Sequence, residues 1–322
     1  MAAAETGPRR LLGDRAVPFA AAASLLPDLD VLTRLTGFEP WVFQSHRLTH
    51  SFAGMAALSA AAGTAMAALC RDGRFLGWSA LALAAGLLHL LLDTATAWGY
   101  PLWFPLSVER TTLALVPFPD PRLWTILAAG LAAGWFVPAR RELAARASLT
   151  MLAVFLLFLA GNRSLARSQF AAALRRIGAA PTAVQAWPRS LSPFAWTGTA
   201  QSEAGGRFEG EVSSLRGMQG RVHEWFRAEV PGAAADTFVQ AYERWAQVPV
   251  LRYVAGESAT GRTPVPTPIL FDLARIDADG YCFWSVRLEP MPGGAWVHRW
   301  LDRDGLTAPV PDREYELPGV PR

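Results

Sequence analysis

Lysine is absent from the chain: all 30 basic residues are arginine. A phosphate-loop lysine and a lysine Schiff base are therefore excluded, and with them the commonest nucleotide-hydrolase and pyridoxal chemistries. Cysteine is almost as scarce. Cys70 and Cys282 lie far apart, with no Cys-x-x-Cys or Cys/His finger spacing around either, so neither a disulfide framework nor a structural zinc finger is indicated. Strong charge of one sign is missing too. The net charge is +3 and the arginines are scattered between apolar segments, without the basic and aromatic stripe of a nucleic-acid binder. No nucleic-acid partner is expected.

What the chain does have is apolar sequence. Its mean hydropathy of +0.19 is high for a soluble enzyme. Apolar segments fall at about 16–32, 51–70, 75–98, 122–138 and 147–162, each close to the ~20 residues that span a hydrocarbon core. The second and third are the clearest. Pro27 and Pro138 trim the first and fourth, so a half-buried or re-entrant helix stays an alternative for the first, fourth and fifth. The N-terminal Arg9, Arg10 and Arg15 before an alanine-rich stretch have the look of a signal peptide. That stretch runs straight into Asp28 and Asp30, however, and is read as a retained membrane or interfacial helix.

After about residue 180 the texture changes to Pro, Gly and Trp with β-type runs such as VLRYVAG, ILFDLARI and YCFWSVRLEP. The expected fold is mainly α: a polytopic helical membrane domain over 1–178, followed by a smaller water-facing α+β domain over 179–322. Arg71, Arg74, Arg140, Arg141 and Arg146 follow the second and fourth segments, so by the positive-inside rule those ends and the N-terminus are cytoplasmic. The opposite ends, with the 99–121 loop, then lie outside, and about five crossings put the C-terminal domain there as well. Arg34, Arg47, Arg110 and Arg122 on the proposed outer side weaken the bias.

Three polar clusters punctuate the apolar segments: PDLD with Asp28 and Asp30, HRLTHS with His46 and His50, and HLLLD with His89 and Asp93. In the last two the potential ligands are four residues apart, which on a helix places them ~40° apart on one face, able to reach one ion. Threading the membrane gathers all three clusters at one face. Mixed Asp and His donors suit zinc, manganese or iron, whereas an all-oxygen shell would favour magnesium or calcium. Each signal has a plainer reading beside it. A lone histidine in an apolar helix is usually a hydrogen-bonded structural residue, and Pro-Asp-x-Asp is good capping chemistry. Alternatively the two carboxylates flanking Leu29 face one side of an extended stretch and bridge two ions. Arg47 is either a snorkelling anchor or a phosphate contact, and Thr49 and Ser51 are either donors behind the ligands or helix-start residues. The loop GYPLWFPLSVERTTLALVPFPDP reads first as an interfacial aromatic belt. Its other reading is a lid, with Arg110 as an anion contact and Asp120 as a further ligand. His223 and His298 have no neighbour at ligand spacing and are read as structural or surface residues.

The run LPDLDVL, then HRLTHS, then GLLHLLLDTATAWGYPLWFPLS, then a turn ending in Asp120-Pro121, resembles the membrane-bound metal-dependent hydrolase family of the YdjM/YbcI type. The motif likeness covers roughly residues 20–125. It implies a bacterial inner-membrane protein with a metal-dependent hydrolase site, its polar motif positions falling on Asp28, Asp30, His46, His50, His89 and Asp93. Members usually open with a short Thr-His motif, where this chain reads RRLLGDRAV, with Asp14 as a possible substitute. The expected function is a metal-dependent hydrolase in the inner membrane, with zinc or manganese as the divalent ion, Asp30 or Asp93 as general base and Arg47 against an anionic group. The substrate would be a phosphoester or ester of an amphiphilic or envelope molecule. The alternative is a non-catalytic membrane protein whose cluster binds metal for sensing or transport, or only holds helices together. Transport is disfavoured by GMAALSAAAGTAMAAL and FLGWSALALAAG, which hold no ionisable group through the depth of their helices.

Overall fold

Ser51 begins the first long helix: its hydroxyl accepts the Gly54 N–H at 3.0 Å, a standard N-cap that satisfies one orphan donor. The computed structural model describes residues 7–36, 46–117, 120–189, 192–203, 205–226, 230, 232–246, 248–256, 265–272, 285–290, 296–301 and 313–317. Cys282, with the start of YCFWSVRLEP and the end of ILFDLARI, lies outside them. The chain divides into two compact units, residues 1–159 and 160–322.

The first unit is helical: α1 (Pro8–Leu12), α2 (Ala16–Ala23), a 3-10 helix (Pro27–Thr36), α3 (Phe52–Cys70), α4 (Phe75–Ala95), α5 (Pro121–Phe136) and the start of α6 (Arg141–Arg176). The antiparallel pair α3/α4 is its centre. The buried positions of α3, among them Met55, Ser59, Gly63 and Ala67, recur every four residues and form one stripe. A Cβ on Gly63 would collide with the Ser79 backbone, and one on Gly86 with the Met55 side chain. In lipid, where apolar side chains gain nothing by leaving the solvent, this close approach of small residues is what holds two helices together.

Among the described residues three helices are long and apolar enough to cross a membrane: α3, α4 and the element Pro138–Arg176. A fourth is possible if α2 and the 3-10 helix, bent by 47°, count as one span. The fourth apolar segment of the sequence becomes α5, only 16 residues long, about 24 Å at 1.5 Å per residue. The fifth becomes the apolar middle of the 36-residue α6, because flanking residues that are polar but good helix formers extend the helix past the hydrophobic stretch at both ends.

The arginine-rich ends of this unit meet one another. Arg74 donates to the Leu11 carbonyl at 2.7 Å, and Arg10 pairs with Glu142 at 2.9 Å. Arg15 approaches Cys70, a free thiol, at 3.3 Å. At the other end the 96–117 loop folds back on α4, with the Leu113 and Leu115 amides donating to the carbonyls of Thr94 and Ala95. Leu115 and Val116 pack with Ala95 and Leu159.

The second unit holds an antiparallel sheet ordered β1 (Pro181–Pro188), β2 (Ala195–Ser202), β3 (Arg207–Ser213), β4 (Gly217–Trp225) and β9 (Arg313–Tyr315). A four-stranded antiparallel sheet joins β5 (Pro249–Gly256), β6 (Val265–Asp272), β7 (Val286–Pro290) and β8 (Trp296–Trp300), and α7 (Thr237–Trp245) precedes it. Ala166, Phe170, Ala173 and Leu174 of α6 are core residues of the first sheet. Gly198 and Gly210, paired across β2 and β3, make room for the Phe170 ring. These last turns of α6 thus pack with the strands, although the sequence texture changes only after about residue 180.

Candidate metal centre

Three elements deliver six ligand-type side chains to one end of the first unit. The 3-10 helix brings Asp28 and Asp30, the 46–51 turn brings His46 and His50, and the last turns of α4 bring His89 and Asp93. On α4 the i,i+4 spacing works as expected, with His89 Nε2 3.2 Å from Asp93 Oδ2. HRLTHS departs from expectation: it is a run of turns and bends, not a helix. Its two rings meet, centroids 4.5 Å apart, because His46 takes the left-handed conformation, φ 61°, a costly region for a residue with a Cβ. The aspartates also depart from the extended stretch that would have put them on one side. In a 3-10 helix with three residues per turn, positions i and i+2 point ~120° apart. Asp28 accordingly faces His89, at 3.5 Å, and Asp30 faces His50 and His46, at 3.5 and 3.7 Å, while accepting the His46 amide.

His50 is the hinge of the cluster. Its side chain is 1% exposed, and its two ring nitrogens face different carboxylates: Nδ1 lies 3.5 Å from Asp30 and Nε2 lies 3.2 Å from Asp93. Two trios result, Asp28/His50/His89 and Asp30/His46/His50, the ligand atoms of each within 4.8 Å of one another. Nitrogen and carboxylate donors at that spacing can close on an ion at ~2.1 Å, and three protein ligands leave a fourth tetrahedral position open. Asp93 stands between the Nε2 atoms of His50 and His89, 3.2 Å from each, a place beside the Asp28/His50/His89 trio.

Burial, reinforced by the neighbouring His50, drives His46 down to about 4, so its ring is neutral at pH 7. Burial pushes His50 down as well, but the hydrogen bonds and charges of Asp30 and Asp93 outweigh it and raise this ring above the ordinary histidine value. Thr49, half-buried in the turn, brings its hydroxyl within 3.1 Å of His50 Nδ1. Ser51 is the cap of α3 and also donates to the Leu48 carbonyl at 2.7 Å. Gly54 lies directly under that carbonyl, where any Cβ would collide.

The aromatic loop divides its residues between the two expected readings. Trp103 and Leu106 are exposed, as a belt requires, whereas Tyr100 is buried and stacks on His50, centroids 5.1 Å apart and planes 15° apart. Burial, with the Asp93 charge, pushes the Tyr100 phenol up. The Leu102 carbonyl takes the Phe52 amide at the start of α3 at 2.9 Å. The loop therefore roofs the cluster with Tyr100, which sequence reasoning did not single out. The signal was there in the one tyrosine of that loop, seven residues past Asp93 in the same motif. Arg110 donates to the Gly99 carbonyl at 3.0 Å, and its charge bears on His46 and Tyr100. Arg47 is exposed.

Two possible ligands fall elsewhere. Asp120 caps α5 and chelates Arg122, with contacts from 2.6 to 3.2 Å, so its lone pairs are already used. Asp14, the acidic residue of RRLLGDRAV, pairs with Arg9 at 2.6 Å among the arginine-rich ends. His223 and His298 do have partners, Glu209 and Asp236, each at 3.1 Å. Strand pairing and a helix cap supply these neighbours, which sequence spacing does not reveal.

None of the curated proteins and none of the solved structures matches the chain. The family described as YdjM inner membrane protein matches residues 1–165, the part that carries the long helices and all six clustered side chains. That match covers just over half of the 322 residues, and the chain belongs to the YdjM inner membrane protein family.

Proposed function

We propose that the cluster holds one or two divalent metal ions and that the protein is a membrane-bound hydrolase of esters or phosphoesters carried by amphiphilic molecules. The observation that supports this most is the pair of His/Asp trios sharing His50. The residues fit the group chemically: three imidazoles and three carboxylates suit zinc or manganese, and their net negative charge near apolar helices calls for a cation. His46, His50, His89, Asp28 and Asp30 would be the ligands. A divalent ion bound there supplies a water of lowered pKa and polarises the scissile group. The chain's own groups do the rest. Asp93, held between two imidazoles, serves as proton acceptor. Tyr100 covers His50 and keeps bulk water from that side. Arg110, anchored on the Gly99 carbonyl, and the exposed Arg47 bring positive charge toward an anionic head group. The arginine-rich end of the helices is read as cytoplasmic, which sets the cluster at the outer face.

The test is metal analysis of the full-length, detergent-purified protein together with turnover of phosphomonoester, phosphodiester and carboxylester probes, lipids included. Stoichiometric metal that is lost in His50→Ala, with turnover lost in parallel, supports the proposal. Stoichiometric metal without turnover across the panel would instead make the cluster a binding or sensing site.

A further inference from the structure

The helix α5 buries no residue of its own. Its inner side borders a cleft of about 620 Å³ that it shares with α2, α4 and the start of α6. On α4 the cleft is lined by Leu88, His89 and Leu92, and on α5 by positions from Trp124 to Trp135, about 16 Å along the helix axis. The lining is mostly aliphatic or small until its far end, where Arg9, Asp14 and Arg141 stand.

Two facts give the cleft a direction. His89 belongs both to its wall and to the Asp28/His50/His89 trio, so the cleft reaches the cluster at that side chain. Leu123, at the start of α5, packs against the group of Ala95, Leu115, Val116 and Leu159 beside the end of α4, so the Trp124 end is the cluster end and the Trp135 end is the arginine-rich one. Size then selects the occupant. A volume of a few hundred Å³ is that of a small-molecule site, and mostly apolar walls offer a water-soluble ligand few hydrogen bonds. A hydrocarbon chain fits both conditions. Trp124, Leu131 and Trp135 are 64%, 51% and 77% exposed, so a chain can enter sideways from the bilayer without crossing water.

We infer that this cleft seats one hydrocarbon chain of a membrane lipid, with the ester and phosphate region of the lipid at His89 and the chain end toward Trp135. The substrate class of the site is then a chain-bearing phospholipid or similar amphiphile, and the chemistry done on its head rests on the hydrolase reading above, whereas the seating of the chain does not. Leaving the bilayer for the cleft gains an alkyl chain little, since both are apolar. Selectivity therefore falls to the head-group end, where His89 and Asp28 lie.

The test uses the full-length protein in phosphatidylglycerol vesicles containing traces of two phosphatidylglycerol analogues. One carries a photoactivatable diazirine next to the chain carbonyl, the other at the chain terminus, and cross-linked residues are mapped by mass spectrometry. The first analogue is expected on Leu88 and Leu92, the second on Leu131 and Gly134. Ala128→Trp, which fills the cleft from α5, should abolish both, and Leu131→Trp serves the same purpose if that variant does not fold. Cross-links in the reverse order, cross-links spread evenly to bilayer-facing positions such as Leu157, or cross-links indifferent to both tryptophan variants overturn the inference. Metal content and turnover are measured on the same preparations. Ordered cross-links in a protein that binds no metal keep the lipid cleft and sink the hydrolase reading. Metal and turnover with evenly spread cross-links do the opposite.

Discussion

Replacing His50 by alanine tests the shared-ligand geometry most directly. His50 is the one side chain common to both trios, so its loss leaves each with two ligands, whereas His46→Ala or His89→Ala damages only one. A four-ligand zinc site is worth roughly 10–16 kcal/mol in peptides, or ~3 kcal/mol per ligand, which is about a hundredfold in Kd. His50→Ala should therefore weaken every bound ion by about a hundredfold or more. The His46 and His89 variants should each spare the other trio. There is also a pH signature. In the metal-free protein Asp30 and Asp93 hold a proton on His50 above the ordinary value, whereas His46, lowered to about 4, has already lost its own. Metal must displace the His50 proton, so zinc affinity should rise at least about tenfold per pH unit below the raised His50 pKa, and His46 should add no slope in that range. Because the folded pKa of His50 is raised, its contribution to the stability of the metal-free protein is complete below the unfolded value and is lost as pH rises through the folded one. Above the ordinary histidine value, where His46 is neutral in both the folded and the unfolded chain, the metal-free melting temperature should thus fall as pH rises through the raised His50 pKa. Competition titration against a chelator at several pH values reads the affinities, and elemental analysis reads the stoichiometry. Wild-type zinc affinity in His50→Ala, or equal losses in all three histidine variants, would refute the two-trio geometry.

Gly63→Leu should separate α3 from α4, because even its Cβ overlaps the Ser79 backbone, and should cost at least ~3 kcal/mol. Gly161→Ala, with open space around it, should instead stabilise α6 by ~0.5–1 kcal/mol, and thermal unfolding in detergent compares the two. Tyr100→Phe should keep the stack on His50 and cost ~1 kcal/mol or less. Tyr100→Ala should open a cavity costing ~3–5 kcal/mol and loosen metal about 10–100-fold by freeing the His50 ring; equal metal affinity in both variants would contradict the roof role. A Glu109→Cys variant lacking Cys70 and Cys282 should react with an impermeant maleimide in intact spheroplasts, and labelling only after lysis would reverse the proposed orientation.

Hydropathy and residue type alone were enough to read the apolar helices, the change to strand-forming texture after residue 180 and the identities of the six polar side chains. Those properties are local: a ~20-residue apolar run needs the bilayer wherever its neighbours lie, and His89 and Asp93 are four residues apart on a helix whose geometry does not depend on context. The end of α6 was not legible in this way. Its apolar run stops near residue 162, but the helix continues to Arg176 because Phe170 and Leu174 find a sheet to cover, and that partner is built from strands later in the chain. The same holds for the centre of the cluster. HRLTHS carries helical spacing yet folds as turns, with His46 in a left-handed conformation and its amide tied to Asp30 across sixteen positions. A 3-10 helix sends Asp28 and Asp30 to different trios, and the loop's only tyrosine closes over His50. Sequence spacing reports which side chains share a face of one element, but those contacts join separate elements, and only the tertiary packing of α3 on α4, set by glycines too small to keep the helices apart, brought them to one place.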